Sequence, residues 1–224
     1  MRSWMMAGIV TLAMTTAGLA QDATGTVSVV GEGQSTAVPD MAVISLGVTH
    51  SDASAKAAMD RVSADARALL GVLEAFGVMP RDVQTEQVGV QPLWNNDHGH
   101  RHIAGYVARN GVSVRVRDLS QLGAVIDAAL NVGSNDFGGV QFQLSDPAPA
   151  MAEARAAAVR DARARASQMA AAAEVALGPI VTMSEAGAGG RPEMFAAARS
   201  ADVPIASGEV SVTARVAVTF GLLP

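Results

Sequence analysis

The sequence predicts an α+β protein: a βαββαβ unit followed by a long alanine-rich helix and two further strands. Three observations carry that prediction. Apolar and polar residues alternate through Met41–His50 and again through Val112–Arg117, the period of a half-buried strand. Elsewhere apolar residues recur at spacings of three and four, the period of a helix packed on one side. From Pro147 to Glu174, 14 of 28 residues are alanine, a composition with high helix propensity and a smooth face for close packing.

In chain order, Val27 to Val30 reads as a short strand ending at the glycines of "GEG". "GEGQSTA" from Gly31 superficially matches a dinucleotide fingerprint, but that fingerprint must open a helix directly. Val38-Pro39-Asp40 and another strand follow instead, so the glycines are expected to serve a tight turn with positive φ. The next strand places Ala42, Ile44, Leu46 and Val48 on one face. Ser51–Asp52 reads as a helix N-cap. Met59, Val62, Ala66, Leu69, Leu73 and Phe76 then form one helical stripe, which stops at Gly77.

Val83 to Gln91 reads as a weaker strand ended by Pro92. Val112, Val114 and Val116 alternate with Ser113, Arg115 and Arg117, a strand with one wet face. Asp118 offers a cap for a helix bearing Leu119, Leu122, Val125, Ile126 and Leu130, and Val140, Phe142 and Leu144 form the next strand. The order from Met41 to Leu144 is that of the split βαβ, ferredoxin-like plan. After the alanine-rich helix come a strand at Ile180–Ser184, a loop or arm at 187–207, and a final strand with Val210, Val212, Ala214, Val216, Val218 and Phe220 on one face.

The N-terminus sets the compartment. "MRSWMMAGIVTLAMTTAGLA" has a basic start, an uncharged apolar middle and small residues at Gly18 and Ala20, the form of a secretory signal peptide cut before Gln21. Residues 21–224 are expected to form a single α+β domain in the periplasm, with outer-membrane association as a further expectation. Without Arg2 the chain carries 15 basic and 21 acidic residues, a net of −6, and its arginine-bearing stretches look like solvated faces; this argues against nucleic acid as a partner. No cysteine is present, which removes thiol, disulfide and lipid-anchor chemistry. Past Ala20 no apolar run is long enough to span a membrane as a helix, and the long helices interrupt any transmembrane barrel pattern.

Among candidate sites, "DHGHRH" stands out. His98, His100 and His102 alternate, with Asp97 beside them, and imidazole with carboxylate suits Zn²⁺ or Cu²⁺. Every ligand comes from one hexapeptide flanked by Asn and Gly, so a polar loop that holds metal only loosely is the competing reading. No resident cofactor is expected, weak Zn or Cu binding aside. His50, Ser51 and Asp52 hold the letters of a hydrolytic triad, but a triad is assembled by the fold and not by adjacency. No closely paired carboxylates suggest glycosidase chemistry. Trp94 and Tyr106 flank the histidine segment, as anchors of its ends or as an exposed adhesive patch.

"VVGEGQSTAVPDMAVISLGV", "GYVARNGVSVRVRDLSQLGAVIDAALNVGSN", "ARAAAVRDARARASQMAAAAEVALG" and "VSVTARVAVTF" occur in that order across nearly the whole chain after the leader. Together they resemble the SIMPL-domain proteins of bacterial envelopes, which include a periplasmic immunogenic antigen. The resemblance implies an exported α+β protein that self-associates, in some members into ring-like assemblies, and is linked to oxidative or envelope stress defence. It supplies no catalytic residues, and it places DHGHRH in a variable connector between two strands. The expectation is a non-enzymatic homo-oligomer acting through assembly, helped by the arm at 187–207; the alternative is a periplasmic metal-binding protein using Asp97, His98, His100 and His102.

Overall fold

The computed structural model describes residues 25–97, 100–186, 193–195 and 206–224. The expected leader and most of the expected arm lie outside the described residues. In order, the elements are β1 (Thr26–Ala37), β2 (Met41–Asp52), α1 (Ala55–Ala75), β3 (Val83–Asp97), β4 (His100–Val116), α2 (Leu122–Asn131), β5 (Asp136–Gln143), α3 (Ala148–Ala172), β6 (Ala176–Glu185), β7 (Glu193–Phe195) and β8 (Glu209–Leu223).

One antiparallel sheet has the order β3-β4-β2-β5, which is the split βαβ arrangement that the order of elements predicts. Its core joins Ala42, Ile44 and Leu46 of β2 with Val112, Val114 and Val116 of β4 and Phe142 of β5. Onto these pack Leu69 and Leu73 of α1 and Leu122, Val125, Ile126 and Ala129 of α2. Each of the larger aliphatic side chains contributes roughly 1.5–3 kcal/mol by leaving water. The α1 stripe is therefore the one its spacing predicts, and Gly77 ends it with φ of 77°.

Its start differs. The β2–β4 ladder runs on to the pair Asp52↔Tyr106, which keeps Ser51 and Asp52 extended. Ser54 is the cap instead: its Oγ accepts from the Ala57 amide, and Asp52 Oδ1 accepts from the Ser54 amide. Asp118 does cap, but it caps a short 3-10 turn over Leu119–Gln121 that leads into α2.

The second sheet has the order β1-β8-β6, with β7 also paired to β8, so three strands follow α3 where two were expected. β1 does not end at its glycines. It pairs with β8 residue for residue, Gly31 opposite Val216 and Gly33 opposite Ala214. Neither glycine has a positive φ. A Cβ on Gly31 would lie 2.1 Å from the Ala158 carbonyl oxygen, and one on Gly33 would lie 2.1 Å from that of Ala154. The glycines thus admit the backbone of α3 and make no turn.

α3 answers with alanine at every fourth position. Ala150, Ala154, Ala158, Ala162, Ala166 and Ala170 are all buried, and the middle four pack with Val27 of β1 and Ala214, Val216, Val218 and Phe220 of β8. Two carboxylates of the helix reach the strand. Asp161 Oδ2 accepts from the Glu32 amide at 2.9 Å, and Glu153 Oε2 accepts from the Ser35 hydroxyl at 2.8 Å. The link from β1 to β2 is tied to the link from β5 to α3, where Asp40 accepts from the Ser145 hydroxyl and amide. Those bonds hold the Asp40 carboxyl below its usual range.

Gly33→Ala is expected to destabilise the protein by about 1–3 kcal/mol, because helix backbone cannot move aside. Gly71→Ala, on a helix face where a Cβ meets nothing within 4 Å, should be neutral or stabilise by about 0.5–1 kcal/mol. Urea unfolding of both variants checks the contrast.

Candidate functional site

β3 is an edge strand, and it outruns the sheet. Its expected end at Pro92 is corrected by the structure: pairing with β4 continues through Pro92↔Tyr106 to Asp97↔His100. Proline is tolerated there because an edge strand has a side that needs no ladder amide. β4 in turn begins at His100, six residues before its first partner on β2, Tyr106. The end of the hairpin is therefore a two-stranded ribbon extending roughly 20 Å past the sheet.

Residues 91–96 and 100–104 are exposed on both strands. Trp94 stands opposite Ile103, and the guanidinium of Arg101 lies 4.4 Å from the centre of the Trp94 ring. Trp94 therefore holds the ribbon through this stack while remaining 51% exposed. Of the expected metal ligands, His100 and His102 alternate along β4 and are exposed. The register sets Asp97 opposite His100 and Asn95 opposite His102. His98 lies outside the described residues. The segment is thus drawn from two paired strands, where the sequence suggested one loop.

Nearer the sheet, β3 carries the sequence Gln87-Val88-Gly89-Val90-Gln91 along its outer edge. Val88 and Val90 lie on the same side as α1 yet are 57% and 39% exposed. Of the other edges, β1 has its Glu32 amide taken by Asp161, whereas β6 is tied to α3 only through Glu185–Arg155 at 2.9 Å and exposes Ile180, Val181 and Met183. β5 is short and bulged opposite Ser45/Leu46. The β3–β4 ladder shifts register at Thr85/Gln87 and at Leu93/Trp94, on either side of Gln87–Gln91, and β3 has no basic residue along its length, so Gln87–Gln91 is open to another strand.

The hydrolytic letters at His50–Asp52 are not brought together. His50 Nε2 pairs with Asp65 Oδ2 of α1 at 2.6 Å, while Asp52 serves the Ser54 amide. Sequence spacing gave no sign of the His50–Asp65 pair, since its members sit on different elements. A second polar pair lies in a cleft of about 280 Å³ between the end of α1 and the start of α2, with Phe76, Met79, Val116 and Val125 among its lining residues. Buried Asp82 accepts two hydrogen bonds from Arg117, at 2.9 and 2.7 Å. The Arg117 bonds hold the Asp82 carboxyl below its usual range against the opposing effect of burial. Among the described residues no group of three or more His, Asp or Glu is placed to hold a metal ion.

The chain matches the model of the SIMPL family, a protein of unknown function, over residues 27–220. It is similar to the 26 kDa periplasmic immunogenic protein of Brucella melitensis, 35% identical over 211 residues that cover 87% of this chain and 83% of the relative. It is also similar to the uncharacterized protein YggE of Edwardsiella ictaluri, 29% identical over 171 residues that cover 74% of this chain and 72% of that one. YggE of Escherichia coli K12 is 26% identical over 147 residues, covering 66% and 60%. No helix among the described residues is long and apolar enough to cross a membrane.

The Asp82–Arg117 pair gives a pH dependence of definite sign. The carboxyl titrates lower in the folded chain than in the unfolded one, so its contribution is complete above the unfolded value of 3.8 and is lost as pH falls through the lower folded value. Asp82→Asn should cost about 1–3 kcal/mol at neutral pH, with Arg117 half exposed and its loss therefore moderated. In acid titrations followed by circular dichroism, the gap between variant and parent should close as pH falls below 3.8 through the lower folded value.

Proposed function

This chain belongs to the SIMPL family, and from that membership we propose that it is a non-enzymatic exported envelope protein that acts by assembling with copies of itself. A periplasmic place is supported by the 35%-identical relatives in Brucella, which are periplasmic immunogenic proteins by name. A link to oxidative or envelope stress defence follows from the resemblance alone.

The observation that carries the assembly reading is the unguarded edge of β3. Gln87-Val88-Gly89-Val90-Gln91 reads the same in both directions. Two copies meeting antiparallel about a twofold axis at Gly89 would set Val88 of one opposite Val90 of the other, and Gln87 opposite Gln91. Such a contact is isologous and self-complementary. Each valine pair contributes roughly 0.2–1 kcal/mol beyond the backbone hydrogen bonds gained. A Cβ at Gly89 meets nothing within 4 Å, so the axis is unobstructed in the protomer.

A second reading is metal binding at the ribbon, with Asp97, His98, His100 and His102 holding Zn²⁺ or Cu²⁺. It is favoured by the register that sets Asp97 opposite His100, so that ligands come from two strands instead of one flexible segment.

Native mass spectrometry of the exported chain tests both. The assembly reading predicts multimers that collapse to protomers in the double variant Val88→Lys/Val90→Lys, whose like charges face each other across the axis; an unchanged multimer would refute the β3 contact. The metal reading predicts one ion per chain, lost when His98, His100 and His102 are all replaced by Ala. Undiminished affinity in that variant would sink it.

A further inference from the structure

The distal ribbon, beyond the segment assigned to self-pairing, presents a different surface. Leu93, Trp94 and Ile103 are 42%, 51% and 44% exposed on a strip two strands wide, with Leu93 and Trp94 on alternate faces. Apolar residues on both faces of a narrow ribbon suit a medium that surrounds it better than a flat protein face that covers one side. Arg101 holds its guanidinium against the Trp94 ring, 4.4 Å from its centre. His100 and His102 stand exposed beside it. In a chain with net charge −5, the stretch from Leu93 to Ile103 carries Arg101 and three histidines against Asp97 alone.

We propose that this ribbon docks on a lipid bilayer whose headgroups carry phosphate. The inference rests on the reading of an envelope protein and deepens it by naming the surface touched and the residues that touch it. The indole of Trp94 sits at headgroup depth, where an amphipathic ring is most favourable. Leu93 and Ile103 enter the acyl boundary on opposite faces. Arg101 turns its remaining N–H donors to the phosphates, as a planar fork suited to paired oxygens. The bond is peripheral: it adds a few exposed side chains and one strong cation, and no spanning segment.

Trp94 reports on this directly. The chain has two tryptophans, Trp4 and Trp94, and Trp4 lies in the expected leader, so protein begun at Gln21 carries Trp94 alone. With vesicles of equimolar phosphatidylethanolamine and phosphatidylglycerol, the protein should co-sediment and the Trp94 emission should move to shorter wavelength; with phosphatidylcholine alone both effects should weaken. Arg101→Gln should lower partition about fivefold, the worth of one cation at an anionic surface. Leu93→Ser/Ile103→Ser should lower it independently while leaving the fold intact, since both side chains are exposed.

Absence of co-sedimentation with anionic vesicles, or equal binding by these variants, overturns the proposal. A wavelength change with inorganic phosphate alone assigns a small-anion site in its place. The same change on concentrating the protein without lipid assigns the ribbon to a second copy, and also overturns it. Sedimentation velocity on the same samples separates the two readings. Val88→Lys/Val90→Lys should lose assembly and keep lipid binding per protomer, whereas failure of lipid binding with assembly intact condemns the ribbon inference alone.

Discussion

Where Gly31 and Gly33 of β1 meet Ala154, Ala158 and Ala162 of α3, there is room for glycine hydrogens and alanine methyls and for nothing larger. Gly31 and Gly33 bring strand and helix backbones so near that a single Cβ would overlap the helix carbonyls. Six alanines spaced by four give the helix a flat strip to lay there. Their burial amounts to roughly 5 kcal/mol at ~0.8 kcal/mol per methyl, no more than two or three leucines would give. Closeness supplies the rest through dense packing and through the two carboxylate bonds from Asp161 and Glu153, which form because the backbones approach so tightly. This contact settles where β1 lies. It thereby sets the pairing of the first strand with the last across the second sheet.

The same contact decides which edges of the molecule remain available. α3 shelters β1 and, through Arg155, reaches β6. Among the described residues no helix side chain makes such a bond to β3, which lies at the far edge of the other sheet. There α1 covers β2 and β4 with Val62, Leu69 and Leu73 but leaves Val88 and Val90 in water. Such exposure in a strand with neither basic residues nor a covering helix is unusual for a chain that remains alone. Polar pairs elsewhere are spoken for locally: Asp82 by Arg117, His50 by Asp65, Asp40 by Ser145. Two strand edges are left with exposed apolar side chains: that of β6, with Ile180, Val181 and Met183, and that of β3, which the ribbon continues.

Much of the first sheet was legible because its strands have one wet and one dry face, so Ala42–Val48 and Val112–Val116 announce their period. α1 was legible for the same reason. α3 was legible as a helix from its alanines, but its buried face was harder to read, since alanines also occupy its solvent side and blur the period. Gly31 and Gly33 misled because glycine serves both turns and close approaches, and only the partner backbone distinguishes them. Pro92 misled because a proline ends an inner strand yet is harmless on an edge, and edge position is a property of the sheet. At the candidate site, the histidine segment was visible as residues but not as paired strands. The valines of β3 alternate plainly, yet their exposure depends on where α1 stops. His50–Asp65 and Asp82–Arg117 join residues 15 and 35 apart on different elements, a distance that no local spacing encodes.

The central claim is that the open edge of β3 is where copies of this chain meet. Hydrogen–deuterium exchange along β3, followed by mass spectrometry at high and low protein concentration, examines that edge itself. If copies pair there, the amides of Gln87–Gln91 that face away from β4 exchange slowly in concentrated protein and rapidly when it is diluted, while the inner strands β2 and β4 stay protected at both. Rapid exchange of those amides at every concentration, in a sample shown to be multimeric, would contradict the account and place the contact elsewhere.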